Sequence, residues 1–426
     1  AGEAAGAVLR AHRHSARQLL AAAAAATASV AGPPLLGASG ARRLRVAYVM
    51  ADWREHITLR LLASVLGSHD ATRVQVSCLS LGPPPREASA LRARAQRECA
   101  RFVDLHAEDD AAAAAAASTA HILLDLNFVK GGARRARNAV IAHAAAPLRV
   151  NLVAHPATAG GAHQYVLADT AAAPPRLAAA FDERLVLAPH HFQPNSLRDD
   201  ALAAGLPRDG ARSGARDGTH ARDARLPTRA ELGLSAVAPL LAMSGNPAKL
   251  SPETAAVAAS ALLSAPRAML LLVSYPMAAR GAEAAQRARL RAELAARGAP
   301  LSRVRFVPLV PSASHLRRIG LADLHLDTLP YNAHSTAADC TYAAVPHLTV
   351  AGEQMAARLA SALLRAAGMV QTTHATLRSL EEAARLLLAG ASVSVPPPRA
   401  TTSHQPGHLL QGGRAIILEN WTRGRT

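Results

Sequence analysis

The stretch Pro239-Leu240-Leu241-Ala242-Met243 is followed by Ser244-Gly245-Asn246-Pro247-Ala248-Lys249-Leu250-Ser251, and then by an Ala-, Val- and Leu-rich run over 252–263. Five apolar residues in a row bounded by Gly and Pro read as a strand buried on both faces. The run that follows is long enough for a helix. A buried strand, a short polar loop and a helix make the repeating unit of a parallel α/β fold.

The same alternation extends in both directions. Apolar runs over 44–49, 74–81, 121–126, 148–154, 165–167 and 185–187 are expected strands of a first domain. Those over 239–243, 269–274, 304–310, 324–327 and 347–350 are expected strands of a second. Helix-compatible stretches fall between them, at 58–67, 86–101, 252–263, 282–297, 315–321, 337–344 and 354–367. The pattern breaks over 198–230, which is rich in Asp, Arg and Gly without apolar period, so a surface linker is expected at 206–228. The expected organisation is an N-terminal helical or linker segment over 1–42, one Rossmann-like half over 43–205, a second over 229–390, and a tail over 391–426. Tandem doubly wound domains bind ligands outside the carboxyl ends of their strands, with a cleft expected between the two. Transferases, binding proteins and epimerases share that architecture, so the fold alone does not decide the function.

Composition narrows the field. The 426 residues are 50% hydrophobic with mean hydropathy near zero, and no uninterrupted apolar stretch reaches the ~20 residues of a membrane helix. A soluble globular protein is expected, with no membrane partner. The net charge of +17 suggests nucleic acid at first sight, but all 47 basic residues except Lys130 and Lys249 are Arg, and they are scattered. Without a dense basic run interleaved with aromatics, nucleic acid is not an expected partner. Cys78, Cys99 and Cys340 show no metal-ligand spacing, and so few cysteines fit buried thiols in a reducing compartment. The Ala- and Arg-rich start also resembles a transit peptide, so organellar targeting stays open beside a cytoplasmic or nuclear location.

Three strand-end loops carry candidate chemistry. In a chain that writes Arg almost everywhere, Lys249 keeps a compact ammonium suited to a diphosphate. The run Asn332-Ala333-His334-Ser335-Thr336, with Asp339 close behind, opens a helix. Ser335 or Thr336 is expected to cap it, leaving N–H groups to bind a phosphate without a metal. His56 holds the corresponding loop after the first strand, as a proton carrier or hydrogen-bond donor. Each has a plainer reading: a solvated lysine, an ordinary helix cap, one histidine among 19. No Asp-x-Asp, P-loop, Gly-x-Gly-x-x-Gly or Gly-x-Ser-x-Gly motif occurs, so no metal and no dinucleotide cofactor are expected.

Taken in order, these loops resemble the catalytic region of the O-GlcNAc transferase family, which includes SPINDLY-type protein O-fucosyltransferases and bacterial relatives. The resemblance runs through Arg45-Val46-Ala47-Tyr48-Val49 with Asp52 and His56, Leu123-Leu124-Asp125-Leu126-Asn127, the Lys249 loop, His315-Leu316-Arg317-Arg318, Leu326-Asp327-Thr328, Asn332-Ala333-His334-Ser335-Thr336, Asp339, and Arg358-Leu359-Ala360. It implies a GT-B fold, two tandem Rossmann-like domains with the active site in the cleft between them. It implies inverting, metal-independent transfer of GlcNAc from UDP-GlcNAc to Ser or Thr of proteins. By the same resemblance Lys249 and Asn246 hold the diphosphate, with Ser335 and Thr336 at their helix terminus. His315 packs on the base, Asp339 holds the ribose, His334 sits beside the nucleotide, and His56 lies near the sugar and acceptor. The donor UDP-GlcNAc is a substrate, and no cofactor is implied.

Two alternatives stand: a protein O-fucosyltransferase using GDP-fucose, and a catalytically weakened nucleotide-sugar-binding scaffold. The second draws on departures in the first half. Ala154-His155-Pro156-Ala157-Thr158 stands where the family has Gly-Tyr-Pro-Gly-Thr, and Asn127-Phe128-Val129-Lys130 lacks the expected aromatic or imidazole. The family also carries tetratricopeptide repeats ahead of the catalytic region. No 34-residue repeat is legible in this chain, so such a region is expected to be missing from it.

Overall fold

The computed structural model describes residues 43–127, 137–153, 156–197, 228–275 and 281–390, with a few positions before residue 19. The expected N-terminal segment, the linker (apart from Thr228) and the C-terminal tail therefore lie almost wholly outside the described residues, as do Phe128, Val129, Lys130, Ala154 and His155. The chain divides into two compact units, the first ending at Ser196 and the second beginning at Leu197.

The first unit runs β1 (Leu44–Met50), α1 (Ile57–Leu66), β2 (Val74–Ser80), α2 (Ala90–Glu98), β3 (Arg101–Asp104), α3 (Asp110–Ala117), β4 (Ile122–Asp125), α4 (Asn138–His143), β5 (Leu148–Asn151), β6 (Tyr165–Asp169) and β7 (Arg184–Ala188). Its seven strands lie in the order β3-β2-β1-β4-β5-β6-β7, each pair parallel. The second unit runs β8 (Leu240–Met243), α5 (Pro252–Ser264), β9 (Met269–Ser274), α6 (Ala282–Ala295), β10 (Val304–Pro308), α7 (Ser312–Ile319), β11 (Leu324–Leu326), α8 (Ser335–Tyr342), β12 (His347–Val350), α9 (Leu359–Ala366), β13 (Thr373–His374) and α10 (Leu377–Ala389). Its strands lie in the order β10-β9-β8-β11-β12-β13, again parallel throughout. Counted from its own first strand, the second sheet has the Rossmann order 3-2-1-4-5-6.

Side-chain alternation explains why the central strands are apolar at every position. Leu241 and Met243 of β8 point into a core with Leu262 and Leu270, while Leu240 and Ala242 point into another with Leu271 and Val273. In the first unit Ala47 and Val49 face one layer, and Val46, Tyr48 and Met50 the other. A sheet covered on both faces leaves no polar side.

Several expectations change. Residue 101, expected to end a helix, opens β3, which is too exposed to read as a buried strand. The pair β13 and α10, and the Ala-rich α3, were not foreseen. Cys78 on β2 and Cys99 after α2 are joined in a disulfide with their Cα atoms 6.0 Å apart, which corrects the expectation of buried thiols for both. Only Cys340 among the three stays a buried free thiol.

The turn after β2 tests how tightly the first sheet closes. A Cβ at Gly82 would lie 2.2 Å from the Ala51 carbonyl oxygen, a backbone atom that cannot rotate away. Gly82→Ala is expected to destabilise the protein by about 1–3 kcal/mol. A denaturation midpoint unchanged from the parent chain would show that the two strand ends are not in contact.

Candidate functional site

In an open parallel sheet of this order, ligands bind where the strand order reverses, outside the carboxyl ends of the first and fourth strands. In the second unit those strands are β8 and β11. The loop after β8 contains Lys249, and the loop after β11 leads through His334 into α8. The topology thus gathers two of the three candidate loops at one switch point.

They touch closely. A Cβ on Gly245 would come within 3.0 Å of Thr328 Cγ2, so glycine lets the first loop lie against the second. Thr254 at the start of α5 clamps the far loop: its Oγ1 accepts from the Leu329 N–H at 3.1 Å and lies 3.3 Å from the Leu329 carbonyl. Thr328 Oγ1 donates to the Tyr331 carbonyl at 2.8 Å, around a cis Leu329–Pro330 peptide. Asp327, fully buried, accepts from the Thr328 and Ala333 N–H groups at 2.7 and 2.6 Å.

This frame places Lys249. Its Nζ donates to the Asn332 carbonyl at 3.4 Å and sits 4.0 Å from the centre of the Tyr331 ring. Tyr331 stacks in turn on His334, centroids 4.9 Å apart and planes 24° from parallel. An ammonium over an aromatic face is held by the ring quadrupole. Burial lowers the Lys249 pKa to about 8, against an upward pull from the Asp327 charge. The lysine, a tyrosine with no expected site role, His334 and the start of α8 form one group.

The expected capping is corrected here. Ser335 and Thr336 are the first two residues of α8, and His334 stands at the N-cap position without a side-chain cap hydrogen bond. The first turn of a helix carries N–H groups that its own carbonyls do not reach. Asn246 is exposed, and its Oδ1 accepts from the Ala248 N–H at 2.9 Å, shaping the turn that carries Lys249. A cation, a ring and a helix N-terminus side by side suit an anion.

Asp339, one turn along α8 from Ser335, belongs to a second group. Its Oδ2 lies 3.8 Å from His315 Nε2 on α7, and both residues are buried. Arg318 Nη2 is 3.2 Å from His315 Nδ1 and Arg318 Nη1 donates to the Pro308 carbonyl at 2.6 Å. A guanidinium only donates, so His315 accepts at Nδ1 and directs an Nε2–H toward Asp339. The structure therefore brings together the two residues expected at base and ribose, and adds Arg318 as their support.

His56 stands in the first unit, at the N-cap of α1. Its Nδ1 accepts from the Thr58 N–H at 3.2 Å, and its Nε2 lies 3.6 Å from Asp52 Oδ2. The loop around it is fixed by Trp53, whose indole N–H donates to the Leu79 carbonyl at 2.9 Å. Glu55 adds to this by accepting from Ser89 Oγ and the Leu91 N–H. With Nδ1 accepting, the proton of a neutral ring sits on Nε2, so in this arrangement His56 is a hydrogen-bond donor.

The sequence profile of glycosyl transferase family 41 matches residues 33–198 and 195–389. The chain belongs to that family. It is 30% identical over 342 residues to a probable UDP-N-acetylglucosamine–peptide N-acetylglucosaminyltransferase SEC of Arabidopsis thaliana, covering 80% of this chain and 32% of that protein. A Caenorhabditis elegans UDP-N-acetylglucosamine–peptide N-acetylglucosaminyltransferase is 35% identical over 155 residues, 35% of this chain and 13% of that one. Among solved structures, an O-GlcNAc transferase mutant of Thermobaculum terrenum superposes with a TM-score of 0.68 at 26% identity, covering 90% of this chain and 64% of that one. The family 41 chain thus spans about a third of the length of the Arabidopsis relative, and less of the nematode one. Its two parallel α/β units are those of a GT-B glycosyltransferase.

The family 41 chain has only two lysines, which makes the Lys249 environment directly measurable. With 13C-labelled lysine, one of two resonances is expected to titrate near pH 8 and to vanish in Lys249→Arg. The ammonium is present below that pH and lost above it, so affinity for a nucleoside diphosphate should fall as pH rises through about 8. Two lysines both titrating above pH 10 would refute the buried, ring-packed position.

Proposed function

We propose that this chain is the catalytic region of an inverting, metal-independent protein O-glycosyltransferase that moves GlcNAc from UDP-GlcNAc to Ser or Thr. The observation that carries the reading is the group at the β8/β11 switch point, where Lys249, Tyr331 and His334 meet at the start of α8. In the reaction an acceptor hydroxyl oxygen attacks the anomeric carbon, the bond from that carbon to the β-phosphate oxygen breaks, and the electron pair leaves with UDP. The hydroxyl proton passes to solvent water as the new bond forms. Negative charge grows on the diphosphate, where a positioned ammonium and helix N–H groups stabilise it. Such a leaving group needs a strong base less than it needs fixed positive charge. That fits the arrangement of His56, which directs an N–H rather than a lone pair from Nε2.

UDP-GlcNAc is the donor we favour, because Asn332-Ala333-His334-Ser335-Thr336 follows the UDP-GlcNAc branch and the Arabidopsis and nematode relatives are named for that sugar nucleotide. Protein acceptors follow from the same names. GDP-fucose is the alternative donor, suggested by Pro330-Tyr331. A nucleotide-sugar-binding scaffold with weakened catalysis is the second reading, favoured by the His56 Nδ1 lone pair being spent on the α1 N-terminus.

Lys249→Ala tests the group that carries the catalytic reading. It opens no core cavity, so the melting temperature of the free protein should stay nearly unchanged. Transfer to a Ser/Thr peptide should fall by about 10²–10³ in kcat, the usual loss for one preorganised donor at a developing charge. Activity above about half of the parent's would show that the ammonium does not act on the leaving diphosphate. Tight UDP binding without turnover in the parent protein would leave the scaffold. A companion measurement concerns cations: transfer should survive EDTA, and activity abolished by chelation and restored by Mn²⁺ would overturn the metal-independent mechanism.

A further inference from the structure

Beneath the two loops of the second unit lie two histidines that no step above uses. His325 on β11 and His347 on β12 are in-register neighbours on adjacent parallel strands and are essentially inaccessible to solvent. Strand spacing sets their rings 4.9 Å apart and 20° from parallel. Their Nδ1 atoms are 3.0 Å apart.

The hydrogens can be assigned from the partners. The Ser244 N–H donates to His325 Nε2 at 2.9 Å, so that nitrogen carries a lone pair. A neutral His325 then has its proton on Nδ1 and donates it to His347 Nδ1. His347 in turn carries its proton on Nε2, which lies 3.5 Å from Asp327 Oδ2, close to that carboxylate but without a hydrogen bond to it. The two hydrogen bonds run in one direction, from Ser244 through His325 to His347, and leave the His347 Nε2–H beside Asp327. Burial and the neighbouring His347 and His315 hold the His325 pKa well below the ordinary imidazole value, consistent with a neutral ring.

Cys340 completes a trio whose ligand atoms lie within 4.8 Å of one another, which raises a metal site as the rival reading. The hydrogen accounting disfavours it. His325 already spends its lone pair on Ser244, and coordinating an ion through Nδ1 would leave the Ser244 N–H facing an N–H.

The two ends of this chain are the starts of the two ligand loops. Ser244 is the first residue after β8 and opens the Lys249 loop, where Tyr275 also donates to its carbonyl at 3.1 Å. Asp327 opens the other loop and receives the Ala333 N–H beside His334. We propose that His325 and His347 form a neutral, one-directional relay, two hydrogen bonds ending in an N–H packed beside Asp327, that fixes the Lys249 loop and the His334 loop at the spacing a nucleoside diphosphate requires. They are positioning residues, and their role rests on the donor-site reading given above.

Two measurements test it together. Long-range 1H–15N spectra of the histidine rings should show, at pH 7, two buried neutral histidines, one protonated on Nδ1 and one on Nε2, whose signals disappear in His325→Leu and His347→Leu. Cationic rings, or both protonated on Nε2, would refute the relay. By calorimetry, His325→Leu should weaken UDP binding by about tenfold, the worth of one strong buried hydrogen bond, while leaving uridine binding unchanged. His325→Gln can accept from Ser244 and donate to His347, so it should recover most of the UDP affinity. Equal losses for UDP and uridine, or no recovery in His325→Gln, would show a general structural role and overturn the proposal. So would one equivalent of zinc or copper in the purified protein that is lost in His347→Leu. If the parent protein binds no nucleoside diphosphate, the donor-site reading fails instead, while the ring spectra still judge the relay by themselves.

Discussion

The second unit is organised around one buried carboxylate. Asp327 is shut off from solvent at the end of β11, where an unpartnered charge would cost several kcal/mol, on the order of its lost hydration. The fold surrounds it with donors: two N–H groups of its own loop on Oδ1, and the Thr349 hydroxyl at 2.5 Å on Oδ2 with the His347 ring nearby. Satisfying Oδ1 with Thr328 and Ala333 curls the intervening residues into one shape, and that shape presents the Asn332 carbonyl and the Tyr331 ring to Lys249. The carboxylate also opposes through space the loss of proton that burial would impose on the lysine. One acidic group thus shapes the path of the loop and favours the charged form of the residue it faces, against the larger effect of burial.

The first unit solves the same problem in parallel. Asp125 ends β4, the strand corresponding to β11, and its Oδ2 lies 2.9 Å from His163 Nε2 with both side chains fully buried. Its Oδ1 accepts the Asn127 N–H, and Asn127 Oδ1 accepts the Ala51 N–H in the turn after β1. A buried aspartate thus stands at the end of the fourth strand of each sheet beside a histidine, and in the first unit it ties the loop after that strand to the loop after the first strand through Asn127. The switch point of a doubly wound sheet separates the two loops by a full strand spacing, so something must bridge them if they are to hold one ligand.

Which parts of this were legible in the sequence follows from burial. The strands β1, β2, β8 and β9 are covered on both faces, so their apolar runs are continuous and nearly unmistakable. The edge strand β3 is exposed at both ends and half-buried between, so it shows no buried apolar run, and its first residue falls in the stretch expected as a helix. The two-residue β13 is too short for any period. The candidate residues were legible by type and loop position, because Lys249 and His334 follow buried strands. Their contacts were not. Tyr331 became informative only once the curl of its loop put its ring against Lys249. His325 and His347 sit 22 residues apart in the chain and meet only because β11 and β12 are neighbours in register. His56 was legible as a loop histidine, but its capping of α1 depends on a backbone geometry that spacing does not encode. The Cys78–Cys99 bond likewise depends on β2 and the end of α2 facing one core, which a count of three cysteines does not reveal.

The departures in the first unit bear on whether catalysis survives, and the structure gives them a physical reading. The family's glycine-bearing loop is represented here by Ala157-Thr158, and lost glycines suggest a loop that can no longer take its shape. Yet the described part of that loop is firmly held. Buried Glu183 accepts from Thr158 Oγ1 at 2.8 Å and from the Ala159 and Gly161 N–H groups at 2.9 Å each. Thr158 Oγ1 in turn accepts from the Gly160 and Asp182 N–H groups at 3.1 Å. The positive φ values fall on Gly160 and Gly161, where glycine carries no steric cost, rather than on the substituted Ala157. The left-handed backbone of the described segment falls on glycines, and a carboxylate anchors it there. A loop with five converging hydrogen bonds is preorganised, so the missing glycines alone do not argue that this half of the protein has lost its function.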